Sequence, residues 1–510
     1  MNVCTVAAVT REKSAVPRLA SIDRRQLVLR TVDVERLIEQ DHSARSIWEL
    51  IGRLDLSLYY AQIGAVEGHA GRDHFDPQLL ISVWLYAYSR GISSAREVAR
   101  QCEFEPGFQW LCGLEPISHR TLSGFRSENK AGLDDLFVQV LGMLSAEGLI
   151  RLERVMLDGT KIKANAGGNS LRRKKKLEAH LELAREQVRI LNAESEQEQA
   201  TTKRQAAARR RAARQRASRL EAAIREVERL QQEKKRKRKA FVARASSTDA
   251  EAHVMRNGEG GTVPSYNVQT LTDTTHGLVV NVEASTDAID YRQLKPALER
   301  CQTTLGQVPK QLVADGNYTN HVSVQAAADC GVDFYGSWQD SWKRVEHDAQ
   351  GRSAGFLTSA FPYDPERDCF TCPAGKILTR RACLNPDNGV RTHVYHPGKT
   401  ACGKCPLRSH CAPAKARPAW RRSITRSEEP ATTTAFKTKM ATAEAKQIYR
   451  QRSQIAEFPY AWIKERCGLR QFRCRGRLKA TMEATWACLS YNLTRWFSLR
   501  RTLKSELATI

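Results

Sequence analysis

The chain has 510 residues, a formal net charge of +25 and a pI near 9.7. One hydrophobic core rarely serves so long a chain, so roughly two to four domains are expected. The positive excess says little about fold and favours nucleic acid or an anionic membrane as partner. No apolar run approaches the ~20 residues that a bilayer span needs. Arg11, Lys13, Arg18, Arg24 and Arg25 interrupt any signal-peptide core in the opening segment. We therefore expect nucleic acid as the partner, no membrane, and a cytoplasmic location, where the 14 cysteines stay reduced or bind metal.

Residues 1–30 read as loosely ordered, and 33–150 as helical, so that 1–150 form an all-α N-terminal DNA-binding domain. Ile81, Val83, Trp84, Leu85 and Tyr88 mark an apolar helix after Asp76-Pro77. Ser93-Ser94-Ala95-Arg96-Glu97 reads as a turn and N-cap, and Ile117–Arg126 as a cap followed by a basic helix start. Short helices on tight turns fit a helix-turn-helix reader of DNA, or equally a plain bundle with solvated basic residues.

Val155–Leu157 then reads as a short buried strand ending on Asp158, with Gly159 and a basic turn carrying Lys161 and Lys163 behind it. Composition changes sharply over 171–240, where 23 Lys and Arg face 10 Glu. Leu177, Leu181, Ala184, Val188 and Leu191 step by three and four, as do Ala213, Ala217, Leu220, Ile224 and Val227. The pattern predicts a basic helical hairpin with arms of ~30 residues, each ~45 Å long. Its basic runs, including Lys234, Lys235 and Arg236, suit phosphate contact; the alternative is a solvated charged face.

Ser265–Asp273 and Gly277–Val282 predict a β-hairpin around Thr274-Thr275-His276-Gly277. Asp290–Cys301 reads as helix. Gln311–Ala314 repeats the earlier logic: a short apolar strand, then Asp315 and Gly316. Alternating strands and helices from 154 to 335 predict a mixed α/β sheet. In the segment 361–412, Cys369, Cys372, Cys402 and Cys405 form two C-x-x-C pairs, with Cys383, His410 and Cys411 nearby. Four thiolates in that pattern suit one tetrahedral Zn²⁺, with reduced structural cysteines as the alternative. Beyond it, Ala441–Ala456 and Tyr460–Glu465 read as helices flanking Glu457-Phe458-Pro459, with Pro459 opening the second. Thr481–Phe497 reads as an apolar closing helix.

Asp158, Asp315 and Glu457 stand out as candidate ligands. Phosphodiester chemistry with Mg²⁺ needs hard oxygen donors that leave the metal partly open, and three carboxylates are about the minimum for a pair of ions. Each acid taken singly reads as a turn or surface residue.

The strings Leu157-Asp158-Gly159-Thr160-Lys161, Tyr266-Asn267-Val268-Gln269, Ala314-Asp315-Gly316-Asn317-Tyr318 and Tyr449…Arg452…Glu457…Lys464 resemble DDE-type bacterial insertion-sequence transposases, in a branch with a helical N-terminal domain and a cysteine-rich insert. The resemblance runs from about Phe75 to Phe497. It implies an α/β RNase H-like catalytic domain over 151–345 and 420–500. The hairpin 171–240 and the cysteine-rich block 361–412 would be insertions in it.

It also implies hydrolysis at the ends of the element, then attack of the freed 3′-hydroxyl on target DNA. Asp158, Asp315 and Glu457 match the family's catalytic, metal-binding acids, with Mg²⁺ or Mn²⁺ as cofactor. Tyr449, Arg452 and Lys464 match its DNA-handling signature, and Lys161 stands beside the first acid. The chain departs from the usual pattern by placing four residues between Arg452 and Glu457 rather than three, which leaves Arg450 as an alternative phosphate contact. Joining two ends implies a homodimer on double-stranded DNA, at element ends and target. A DNA-binding protein without catalysis and an RNase H-like nuclease without strand transfer are the competing readings.

Overall fold

A computed structural model describes residues 27, 29, 31–64, 73–193, 200–235, 242–258, 260–338, 356, 358–384, 390–413 and 416–507. The expectation for residues 1–30 therefore falls almost wholly outside the described residues.

The N-terminal region is helical, as its pattern predicts. Its central helix, Pro77–Ser89, is buried on nearly every side. Asp76 starts it by accepting the Gln78 amide at 2.8 Å, with Pro77 at the first position, where a missing N–H costs nothing. Further helices surround it: Ser43–Ile51, Ala95–Phe104, Pro106–Cys112, His119–Glu128 and Lys130–Ala146. Ser118 caps the basic helix through the Thr121 amide at 3.2 Å.

Thirteen strands are described: β1 (Arg154–Lys163), β2 (Leu171–Arg172), β3 (Ala245–Ser246), β4 (His253–Arg256), β5 (Thr262–Asp273), β6 (Val279–Ser285), β7 (Gln311–Ala314), β8 (Asp333–Gly336), β9 (Tyr363–Asp364), β10 (Cys369–Thr371), β11 (Ile377–Leu384), β12 (Thr392–His396) and β13 (Ile424–Ser427). The main sheet runs β4-β5-β1-β7-β8, with β6 pairing β5 on the same side as β4. The β1–β5 and β5–β6 pairs are antiparallel, while β1–β7 and β7–β8 are parallel. The helix His321–Asp329 bridges the parallel step from β7 to β8, and Leu294–Leu305 carries the chain from β6 to β7.

Two expectations change here. β1 does not end at Asp158: it continues to Lys163, because β5 keeps pairing it, residue by residue, from Asp273 to Ser265. The hairpin arms are also unequal. Lys174–Ala193 has 20 residues and Ala200–Lys235 has 36, or ~30 and ~54 Å of helix. They meet along Leu177, Leu181 and Ala184 on one arm and Leu220, Ala223 and Val227 on the other. The cysteine-rich block forms its own sheet, β9 to β13, over the small core of Phe361, Phe370, Leu378, Tyr395 and Ile424.

The closing helix, Arg477–Leu507, joins the N-terminal helices to the sheet. Toward the sheet, Asn492 accepts the Val279 amide at 2.9 Å and donates to the Val279 carbonyl at 2.7 Å. Toward the helices, Trp486 Nε1 donates to the Arg126 carbonyl at 3.2 Å, and Ser490 to that of Leu85 at 3.1 Å. At the junction, Arg126 and Glu483 face each other at 3.7 Å, both essentially without solvent contact. Arg126 also donates to the Ser93 carbonyl and lies over the Trp84 ring, while Glu483 accepts the amides of Arg473 and Cys474. Removing one member strands the other charge in the core. Glu483→Ala should therefore lower unfolding free energy by about 3 kcal/mol or more, whereas Lys310→Ala, which breaks an exposed ion pair with Glu153, should change it by under about 1 kcal/mol. Denaturant titration of both variants checks the contrast; equal effects would deny the buried pair its role.

Candidate active site

Side chains alternate faces along a strand, and the neighbours fix which face each residue of β1 presents. Met156 packs with Val313, Tyr335, Ala445 and Ile448, so the even-numbered residues face the helices Ala443–Arg450 and Arg452–Glu465. Asp158 and Thr160 share that face. The parallel register pairs Leu157 with Ala314, so the next residues, Asp158 and Asp315, stand side by side at the point where β7 ends. Asp158 is half-buried and takes the Gly159 amide on Oδ1 at 2.9 Å. Asp315 folds its own turn, with Oδ1 accepting the Asn317 amide at 2.7 Å and Oδ2 the Asn317 side chain at 3.1 Å.

Burial pushes the Asp158 carboxyl up to about 6. The Gly159 amide and the Arg452 guanidinium pull it down, while Asp315 and Asp290 push it further up. The two strand-end acids and Arg452 are therefore within electrostatic reach of one another. Arg450, the alternative phosphate contact, is exposed on the preceding helix.

The helix Arg452–Glu465 runs unbroken through Pro459, rather than starting anew there as expected. Its break falls at Gln451 instead. It lies along β1: the Tyr460 hydroxyl donates to the Asp158 carbonyl and bonds to Thr270 at 2.8 Å, and Lys464 donates to Thr160 at 2.5 Å. Glu457 precedes Tyr460 by three residues and Lys464 by seven, which places it on the same helix face, one turn nearer the start. It is exposed. Tyr449 is half-buried against the Met156–Val313 cluster. Among the described residues, no three or more His, Cys, Asp or Glu side chains are gathered closely enough to hold a metal ion. The register thus sets Asp158 and Asp315 next to each other, and Glu457 stands on the adjoining helix.

Lys161 needs correction. Three residues on from Asp158 in an unbroken strand, it points to the opposite face and pairs with Asp290 at 3.4 Å. That face carries a buried polar network which the sequence reading missed. Asp290 Oδ1 accepts from Asn267 at 2.7 Å and Gln269 at 2.8 Å, and the Tyr318 hydroxyl donates to Gln269 at 2.5 Å. The space under Gly159 is filled by these groups: a Cβ there would stand 2.3 Å from Gln269 Nε2, 2.8 Å from Asp290 and 2.9 Å from the Tyr318 hydroxyl. Asn267, Gln269 and Tyr318 were visible as parts of quoted strings, whereas Asp290 and Tyr460 carried no local signal.

Of the hairpin cations, Lys234 and Lys235 end the longer helix, and Arg236 lies outside the described residues. Among the described residues, the four expected thiols are not gathered closely enough to hold a metal ion. Cys369 lies within β10, and alternation turns it away from the core face that Phe370 and Cys372 share.

Two family models match the chain. One, describing a transposase domain (DUF772), covers residues 32–128; the other, a transposase DDE domain, covers residues 371–497. A search of curated proteins found no match. The first result of the comparison is a class, a transposase, and hence a protein that acts on DNA. Taken together, the two matches indicate more particularly an insertion-sequence DDE transposase. A DDE domain implies an RNase H-like fold, with which the mixed sheet and helical N-terminus agree, and such enzymes generally use divalent metals such as Mg²⁺. Glu457 and Lys464 fall inside the second matched stretch; Asp158 and Asp315 lie between the two. Among the described residues, no helix is long and apolar enough to cross a membrane.

The shifted Asp158 sets a pH signature. Its folded pKa of about 6 lies above the ordinary 3.8, so the fold is most stable with Asp158 protonated and loses stability as pH rises through about 6. Asn mimics the protonated form and can keep the bond to Gly159. In metal-free buffer, Asp158→Asn should match wild type near about pH 4 and exceed it by on the order of 1–2 kcal/mol near about pH 8. Parallel stability–pH curves for the two proteins would contradict the shift.

Proposed function

We propose that this chain is an active DNA transposase: it binds the ends of its insertion sequence, hydrolyses a phosphodiester bond there, and joins the freed 3′-hydroxyl to target DNA. The observation that carries the reading is the parallel β1–β7 register. It sets Asp158 beside Asp315 where the sheet opens, under a helix that presents Glu457 on the same side.

Asp158, Asp315 and Glu457 are the residues that would hold Mg²⁺ or Mn²⁺. The donor set fits: hard carboxylate oxygens suit these ions, and a cation would favour the ionised form of Asp158, which burial chiefly, and Asp315 and Asp290 in smaller part, disfavour. Once bound, such ions activate the attacking oxygen and stabilise the leaving one. Holding Glu457 and the aspartates on one ion requires the helix Arg452–Glu465 and the strand ends to draw together when metal and DNA bind.

The remaining roles follow from charge and position. Arg452, beside Asp158, and Lys464, on Thr160, are placed to hold phosphates of the cleaved strand, and Tyr449 supports the helix carrying them. The N-terminal helices read the element ends. The basic hairpin grips the duplex through its backbone, with Lys234, Lys235 and Arg236 among its contacts. A homodimer brings two ends together.

Labelled element ends and a supercoiled target test the reading directly. Asp158→Asn should abolish nicking while leaving gel-shift affinity intact or slightly tighter, because basic surfaces dominate affinity. Mg²⁺ or Mn²⁺ should support cleavage, and Ca²⁺ mainly binding. Nicking by Asp158→Asn at the wild-type rate would remove Asp158 from the reaction. Wild-type binding without nicking would leave a DNA-binding protein, and nicking without joining a nuclease.

A second outcome concerns the hairpin. Replacing the six basic residues of Lys234–Lys239 should weaken binding to any duplex about equally and reduce the slope of log affinity against log salt by up to ~5. Selective loss of end binding, with nonspecific binding intact, would show that the hairpin reads sequence instead.

A further inference from the structure

We propose that Cys372, Cys402, Cys405 and Cys411 form a structural zinc site, with Cys411 in the position that the sequence pattern gives to Cys369. These four thiols, from three separate segments, line one small apolar cavity of about 30 Å³ beneath the β9–β13 sheet. Cys369 does not line it. The reason is strand geometry. A C-x-x-C pair chelates one ion only if the chain turns between the sulfurs, and Cys369 is held extended by pairing with Thr379 and Asp364.

The turn comes one pair of residues later, at Cys372-Pro373-Ala374-Gly375-Lys376. Cys372 donates its amide to the Lys376 carbonyl at 2.9 Å, Gly375 donates to the Cys372 carbonyl at 2.8 Å, and Gly375 takes the left-handed φ of +71°. The Lys376 amide then points at the Cys372 sulfur at 3.3 Å. That bond fixes the direction of the Cys372 side chain.

The second C-x-x-C, Cys402 to Cys405, has no strand to straighten it. Its loop is tied down by Arg408, which donates to the Cys402 carbonyl at 2.9 Å and the Arg417 carbonyl at 2.9 Å. The short helix Arg408–Cys411 brings the fourth sulfur back to the cavity. Lys376 and Arg422 also line the cavity, which suits the net double negative charge of zinc with four thiolates. The block needs such a staple, because among the described residues its core cluster comprises five buried hydrophobic side chains. The sulfurs surround the cavity without being drawn to ligating distance; binding would contract the 402–411 loop onto the Cys372 turn until each sulfur stands ~2.3 Å from the ion.

The full-length chain, purified without chelator, provides the test. Elemental analysis should find about one zinc per chain in wild type and in Cys369→Ser, and most of it lost in Cys411→Ser. Loading with Co²⁺ should give the intense visible bands of a tetrahedral four-sulfur site in wild type and Cys369→Ser. Cys411→His should keep the metal with the spectrum of three sulfurs and one nitrogen, a readout that survives if Cys411→Ser folds poorly. The proposal is overturned by a wild-type chain without zinc, by zinc lost in Cys369→Ser, or by a four-sulfur spectrum that persists in the Cys411 variants. None of these readouts depends on transposition, so the site stands or falls apart from the catalytic reading.

Discussion

The register of one parallel strand pair governs the rest of this molecule. Leu157 opposite Ala314 leaves the following carboxylates adjacent, with nothing of β7 continuing between them and solvent. Had the pairing slipped by one residue, Asp158 and Asp315 would point to opposite faces. Both faces resist such a slip. On the helix side, Met156 and Val313 are fully buried together; on the other, Leu157 and Leu312 belong to the main core. Four apolar side chains thus hold the two acids in place.

That arrangement also depends on the long closing helix. Asn492 satisfies both backbone groups of Val279 in β6, and the same helix hydrogen-bonds to carbonyls of the N-terminal helices. Pro77–Ser89, the closing helix and the sheet share one hydrophobic core. The N-terminal helical region is therefore not a bead on a linker but part of the body that carries the aspartates. The hairpin and the cysteine block, by contrast, each have a separate small core.

Much of this was legible in the sequence because the signals were local. Val155–Leu157 and Leu312–Ala314 are apolar runs of strand length, Asp76-Pro77 is a helix start, and the leucine spacing of the hairpin shows its seam. What was not legible depended on distant partners. Asp158-Gly159 looked like a strand end, yet pairing with Thr270 and Gln269 keeps the chain extended, and that extension sends Lys161 to the wrong face for the role first given to it. Pro459 looked like a helix start, but the helix tolerates it while Tyr460 is anchored on β1. Cys369-x-x-Cys372 looked like a chelating pair, and a three-residue strand separates its sulfurs. Asp290 looked like no more than the start of a helix, and only the fold brings Asn267, Gln269 and Lys161 to it.

The two faces of β1 then divide the electrostatic work. Below the strand, Asp290 is satisfied by two amide groups and Lys161, a packed network that would resist any side chain at position 159, with the Asn267 side-chain oxygen buried in it without a hydrogen-bond partner. Above it, Asp158 has one backbone amide and the field of Arg452 against its own burial and the fields of Asp315 and Asp290. Because Gly159 admits the network so close beneath, the strand cannot relax downward to separate the two upper acids. Asp158 thus stays half-buried, its carboxyl raised mainly by desolvation, and the polar groups packed under Gly159 fill the space on the other side of the strand.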